Sequence, residues 1–135
     1  PDIVSPPGET LREVLTTIGM TQAELAERVG RPKKTISEII NGKTAITPET
    51  ALQLERVLAI SAGFWLRREQ HYRESLARQQ DEDDLATHLE WLKEFPVKEM
   101  IAKGWISGFR DKIDQLKEVL RFFAINSPDQ WDAAN

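Results

Sequence analysis

The chain has 135 residues, a formal net charge of −4, 40% hydrophobic and 30% charged residues, which leaves room for one globular domain, or a small domain plus an extension. It has no cysteine, which excludes a disulfide framework and a thiolate metal site. No apolar run approaches the roughly 20 residues that span a bilayer and no signal-peptide pattern opens the chain, so a cytoplasmic protein without a membrane partner is expected.

Residues 1–7 carry three prolines and read as an irregular arm. The first residue is Pro1, so either an initiator was removed or a boundary lies there. Leu11, Val14, Leu15 and Ile18 then recur at helical spacing until Gly19. Thr21, with Glu24 three residues on, predicts a capping box. Leu25, Ala26 and Val29 form a short stripe that Gly30 ends. Pro32 suits the first position of the next helix. Ile36, Ile39 and Ile40 are its stripe, and Asn41-Gly42 closes it with a left-handed cap. Thr47-Pro48-Glu49 opens a fourth helix, with Ala51, Leu54, Val57 and Leu58 facing in. Ser61 caps a fifth, running to residue 80. The run Asp81–Asp84 reads as an acidic linker or a helix start. Beyond it, Leu85, Leu89 and Leu92 share a face with Trp91 beside them, until Pro96. A short helix ends at Gly104. A longer one carries Ile113, Leu116, Leu120 and Phe123, and Ser127-Pro128 starts a last. Nothing alternates with period two. The fold expected is all-α: a bundle of five helices over 8–80, a linker over 81–84, and a helical extension over 85–135.

Helices of about eight residues are marginal alone, so the second and third must pack on the first and fourth. The charge around the third stands apart from the rest. Residues 30–44 hold four bases and one acid. Lys33, Lys34, Thr35, Ser37 and Glu38 lie off the apolar stripe, Arg31 precedes them, and Lys43 and Thr44 follow. Cations and hydroxyls on the first turns of such a helix suit a DNA major groove.

Residues 10–60 resemble the lambda repressor/Cro type of helix-turn-helix domain, through "MTQAELAERVG", "TISEIINGK" and "ITPETALQLERVLAI". More narrowly, "PGETLREVL", "NGKTAITPETALQLERVL" and "FWLRREQHY" resemble HigA-type antitoxins. The resemblance implies a dimer on double-stranded operator DNA and a HigB-type partner toxin acting on messenger RNA. It implies a phosphate contact from Gln22 and base reading by Lys33, Lys34 and Glu38. Thr35, Ser37, Asn41, Lys43 and Thr44 match positions that touch backbone or flank the reader, with Arg31 adding to the cationic cluster. Pro32 departs from the Ser or Thr that many relatives use as cap. The plain alternative for Lys34 and Glu38, four apart, is an exposed ion pair worth a few tenths of a kcal/mol.

Other signals point nowhere. "GKT" at 42–44 lacks the upstream glycine and strand of a phosphate-binding loop. His71 and His88 have no second ligand at metal spacing. No catalytic constellation, metal or cofactor is expected. Phe64, Trp65, Leu66 and Tyr72 offer more apolar surface than a fifth helix needs, and predict a homodimer interface.

From Gln79 to Met100 seven acids face two bases, and three of the four tryptophans lie in the second half. "EWLKEFPVKEMIAKGWI" and "LRFFAINSPDQW" resemble the connecting region of regulators that join a HigA-like domain to an ImmA/IrrE-type metallopeptidase. The last helix looks cut off, which suits a front fragment of such a protein. A complete extension that grips a dimer or a toxin, and a brace over the fifth helix, stay open. So does a protein-binding helical module that has kept the fold without binding DNA.

Overall fold

Helix starts in this chain are built from side chains that satisfy the first free N–H groups. Thr21 Oγ1 accepts from the Glu24 N–H at 3.1 Å and Glu24 Oε1 accepts from the Thr21 N–H at 3.4 Å, so the helix Gln22–Val29 begins with a full capping box. Thr47 accepts from the Thr50 N–H at 3.3 Å, Ser61 from the Phe64 N–H at 3.1 Å, and Asp111 from the Ile113 and Asp114 N–H groups. Each such cap contributes about 1 kcal/mol. The computed structural model describes residues 5–134, and among them there are helices and no strands. In chain order they are α1 (Pro7–Ile18), α2 (Gln22–Val29), α3 (Lys33–Ile40), α4 (Pro48–Leu58), α5 (Ala62–Ala86), a 3₁₀ helix (Leu89–Glu94), α6 (Val97–Ala102), α7 (Lys112–Phe123) and α8 (Pro128–Ala134).

The chain forms two compact units, one closing at Leu76 and the other opening at Ala77. The first buries Leu11, Leu15, Leu25, Ile36, Ile39 and Leu54 around Trp65. The second buries Leu85, Trp91, Met100, Ile106, Leu116 and Val119. Against them sits an aromatic group: Trp91 lies 4.5 Å from Phe95, and Trp131 lies 4.6 Å from Phe123, between ring centres.

Four expectations need correcting. Asp81–Asp84 is not a linker, because α5 runs through it to Ala86. Its acids stay solvated on helix turns that bury almost nothing, and Gln80 donates to Asp84 at 3.0 Å across one turn. The segment expected as one helix over 85–95 is split into the end of α5 and the 3₁₀ helix. Pro32 is the N-cap of α3 rather than its first residue. Trp65 is fully buried in its own unit, so it offers nothing to a dimer face; Phe64 and Leu66 pack partly against the same core. The irregular arm expected over 1–7 falls mostly outside the described residues; only Ser5 and Pro6 of it precede α1 within them.

Candidate nucleic-acid interface

Between α2 and α3 the chain turns on Gly30, at φ 74°, a left-handed conformation that glycine adopts without strain. The Arg31 N–H returns to the Ala26 carbonyl at 2.9 Å, which ends α2 and sends the chain into α3. Ile36, Ile39 and Ile40 then bury one face of α3 in the core. That burial fixes which side chains look outward. Lys33 and Lys34 are exposed, and Thr35, Ser37 and Glu38 are half-buried along the same outer side. Pro32 supplies no side-chain cap; its carbonyl closes the first turn of α3, accepting from the Thr35 N–H at 3.0 Å.

The far end of α3 is braced by α1. A Cβ on Gly8 would stand 2.1 Å from the Ile39 carbonyl oxygen and 2.4 Å from that of Ile40. Only glycine permits this approach of backbone to backbone. One turn on, the Arg12 guanidinium donates to Asn41 Oδ1 at 3.1 Å. The chain beyond α3 is drawn back by the Glu38 carbonyl, which accepts from the Lys43 N–H at 2.8 Å and from the Thr44 N–H at 3.3 Å. Farther along, Glu69 of α5 accepts from the Ile46 N–H at 2.7 Å, and Arg73 donates to its other oxygen. Lys43 and Thr44 therefore stand exposed on a loop tied at both ends.

The residues singled out from the sequence fare unequally. Lys33, Lys34, Lys43 and Thr44 are exposed on α3 and its flank, with the half-buried Thr35, Ser37 and Glu38 between them. Lys34 and Glu38 form no ion pair with each other among the described residues. Gln22 is the first residue of α2 and half-buried, at a helix N-terminus whose N–H groups favour anions. Arg31 is not a free cation. It donates to Gln53 Oε1 at 2.9 Å and lies 3.5 Å from Glu49, with 26% of its side chain exposed. Asn41 is exposed but held by Arg12. Phe64, Leu66 and Tyr72 are half-buried on α5.

Several residues that shape this surface escaped sequence reasoning. They are Gly8, Arg12, Glu69 and Arg68, which donates to Thr10 Oγ1 at 3.1 Å and to the Pro6 carbonyl at 3.1 Å. The glycine in "PPGET", just inside a helix start, was the one available signal. Among the described residues, no group of three or more His, Cys, Asp or Glu is placed to hold a metal, and no helix is long and apolar enough to cross a membrane.

Two short helices set across a glycine turn, the second exposed along a cationic polar side, make a helix-turn-helix unit. Residues 11–65 match the helix-turn-helix family model HTH_3. The chain is 41% identical over 68 residues to virulence-associated protein A of Dichelobacter nodosus, covering 49% of this chain and 67% of that one. The chain belongs to this helix-turn-helix family. Among solved structures it is similar to a HigA-family addiction module antidote protein from Coxiella burnetii, at 26% identity and TM-score 0.57, over 64% of this chain and 95% of that one. It is also similar to the Pseudomonas aeruginosa antitoxin HigA solved with the higBA promoter, at 26% identity and TM-score 0.58, over 62% of this chain and 91% of that one.

Proposed function

We infer that this chain is a sequence-specific DNA-binding regulator of the HigA antitoxin type, which represses its own operon as a homodimer in the cytoplasm and binds a HigB-type toxin. The observation that carries the reading is the outer side of α3. Lys33 and Lys34 are exposed there and Glu38 half-buried off the apolar face, unpaired with one another, on a helix held from behind by α1. The Pseudomonas aeruginosa relative with its promoter supports the same role for this fold. In this reading lysines of α3 meet guanine edges and Glu38 accepts from cytosine, while Gln22, Lys43 and Thr44 hold phosphates. Twofold dimers of this kind read half-sites about 34 Å apart. Phe64, Leu66 and Tyr72 on α5 are the dimer face proposed, tested by sedimentation at tens of micromolar, where a monomer would count against it. The function has no catalytic step, and elemental analysis after dialysis is expected to find no stoichiometric zinc.

The deciding experiment titrates the DNA upstream of the chain's own gene, and a scrambled copy, at two salt concentrations. Lys34→Ala is expected to cost about 1–3 kcal/mol on the cognate DNA and to lose discrimination at one base pair per half-site. Glu38→Ala removes an anion, so it should strengthen binding to scrambled DNA while relaxing specificity. Lys43→Ala should weaken both alike and flatten the dependence of log K on log salt by about one unit. If Lys34→Ala and Glu38→Ala leave the ratio of the two affinities unchanged, α3 is not the reader.

A second reading is favoured by the residues from Ala77 onward, which form a compact unit of their own. Their resemblance to the connecting region of metallopeptidase-linked regulators makes this chain the DNA-binding front of a larger protein. Reading the parent gene past Asn135 separates the two.

A further inference from the structure

The second unit is acidic, with twelve acids and eight bases from residue 77 onward. Most of its bases are engaged. Lys93 lies 2.9 Å from Glu90, Lys117 lies 3.1 Å from Glu82, and Arg121 pairs with Glu118. Lys103 sits 4.9 Å over the Trp105 ring, and Arg78 also has a partner. The three that remain, Lys98, Arg110 and Lys112, are exposed and have no ion pair or hydrogen-bond partner among the described residues. All three line one open groove of about 840 Å³. Its apolar lining includes Leu92, Val97, Ile101 and Phe109. The backbone at Phe109 is fixed, since its N–H donates to Gln115 Oε1 at 2.8 Å, and 47% of the residue stays exposed. Of the two acids in the lining, Glu90 is neutralised by Lys93, which leaves only Glu99 against the three cations.

We propose that this groove docks an acidic amphipathic segment of a partner protein, whose apolar side chains cover Val97, Ile101 and Phe109 while its Asp or Glu residues reach Lys98, Arg110 and Lys112. Two features select this occupant. Cations without partners in a unit of net negative charge ask for acids from outside, and charges at a rim of this kind set both encounter rate and partner choice. A nucleic-acid backbone would answer the cations but leave the apolar lining in water, where each buried Å² would have gained about 25 cal/mol. A peptide with one apolar face and acidic flanks answers both. A second copy of the chain is a poorer fit, because its own acidic run Asp81–Asp84 is locked into α5, with Glu82 already paired.

The test selects random 12-residue displayed peptides on the full chain and measures the winners, fluorescein-labelled, by anisotropy. The expected winners carry net negative charge and at least two large apolar residues. Their binding should weaken at least tenfold with Lys98→Glu/Arg110→Glu and with Phe109→Ser. A 12-nucleotide single-stranded DNA should not compete. Lys112→Glu, made in parallel, keeps the test decisive if the double variant does not fold by circular dichroism. No saturable winner, winners without acidic bias, unchanged binding by the charge variants, or competition by the DNA would each overturn the proposal. So would a change in oligomeric state on Lys98→Glu/Arg110→Glu, which would make the occupant a second copy.

Discussion

The two units fasten their loops by the same device and differ in almost everything around it. In the first, Glu69 of α5 accepts from the Ile46 N–H at 2.7 Å and is joined by Arg73 one turn on. In the second, Glu118 of α7 accepts from the Ser107 N–H at 2.7 Å and is joined by Arg121. Both carboxylates are buried, and each is reached by a main-chain donor that would otherwise be left without a partner. Charge separates the units: up to Leu76 ten acids balance ten bases, so the whole deficit of the chain lies beyond it. The cores differ too: the first packs aliphatic side chains around Trp65, and the second sets Phe95, Phe123 and Trp131 around Trp91 beside its aliphatic ones. A buried carboxylate is thus a local solution to a loop's free N–H, independent of whether the surrounding surface is built for anions or against them.

A substitution at Gly8 should strike one unit alone and cost the most. Gly8→Ala puts a Cβ against two carbonyl oxygens of α3, and backbone cannot yield as a flexible side chain can. We expect a loss on the order of 3 kcal/mol, at the upper end of overpacking costs. Hydrogen exchange should show protection falling across α1 and α3 while α7 keeps its own. Equal loss in α7 would mean that the two units do not open separately.

Next come the two carboxylates themselves. Glu69→Ala leaves the buried Ile46 N–H without its acceptor and should cost about 1–3 kcal/mol by chemical denaturation. Glu118→Ala should cost less, because the Ser107 N–H is only partly buried. The reverse order would show that the shared geometry does not carry a shared energy.

Acid sharpens the comparison further. The Ser107 N–H, then the Arg121 guanidinium, hold the Glu118 carboxyl below its ordinary value of 4.5. A carboxyl whose folded pKa is depressed adds stability above the ordinary value, and that stability is lost as pH falls through the lowered one. The Ser107 amide resonance should therefore move with a midpoint below 4.5, and Glu118→Gln should abolish the movement. Smallest of all is the exposed pair Glu90 and Lys93; Glu90→Ala should change stability by less than about 0.5 kcal/mol, measured by thermal denaturation.

The contrast extends to what the sequence makes legible. Periodicity and caps place α1 to α4 within a residue or two, because Thr21, Thr47 and the glycines act on their nearest neighbours. The course of α5 is harder to read. Phe64, Trp65 and Leu66 are consecutive, so they point around the helix, and pattern alone does not say that the central one faces in. Asp81–Asp84 looks like a break because four acids repel, yet a helix tolerates them where every side is wet. Arg31 counts as a groove cation from local charge, but its partners lie 18 and 22 residues away, on α4. Glu69 reads as a surface residue for the same reason, since the Ile46 N–H it binds is 23 residues away; Gln115 and Glu118 bind a loop 6 to 11 residues upstream, whose return no helical pattern announces. Local signals are legible and long-range satisfaction is not, which is why the helices of the interface can be read and its braces cannot.

Trp65 and Trp91 can report on the two units separately. Each is buried, one in each unit, and neither indole N–H finds an acceptor among the described residues. Trp105, by contrast, is 55% exposed. In a ¹⁵N-indole spectrum the two buried groups should exchange slowly with solvent through shielding alone, and Trp105 quickly. Four indole signals then give the chain a built-in pair of channels. A ligand that perturbs the Trp65 signal is felt in the first unit and one that perturbs Trp91 in the second, so operator DNA and an acidic peptide can be told apart in one tube without a label on either.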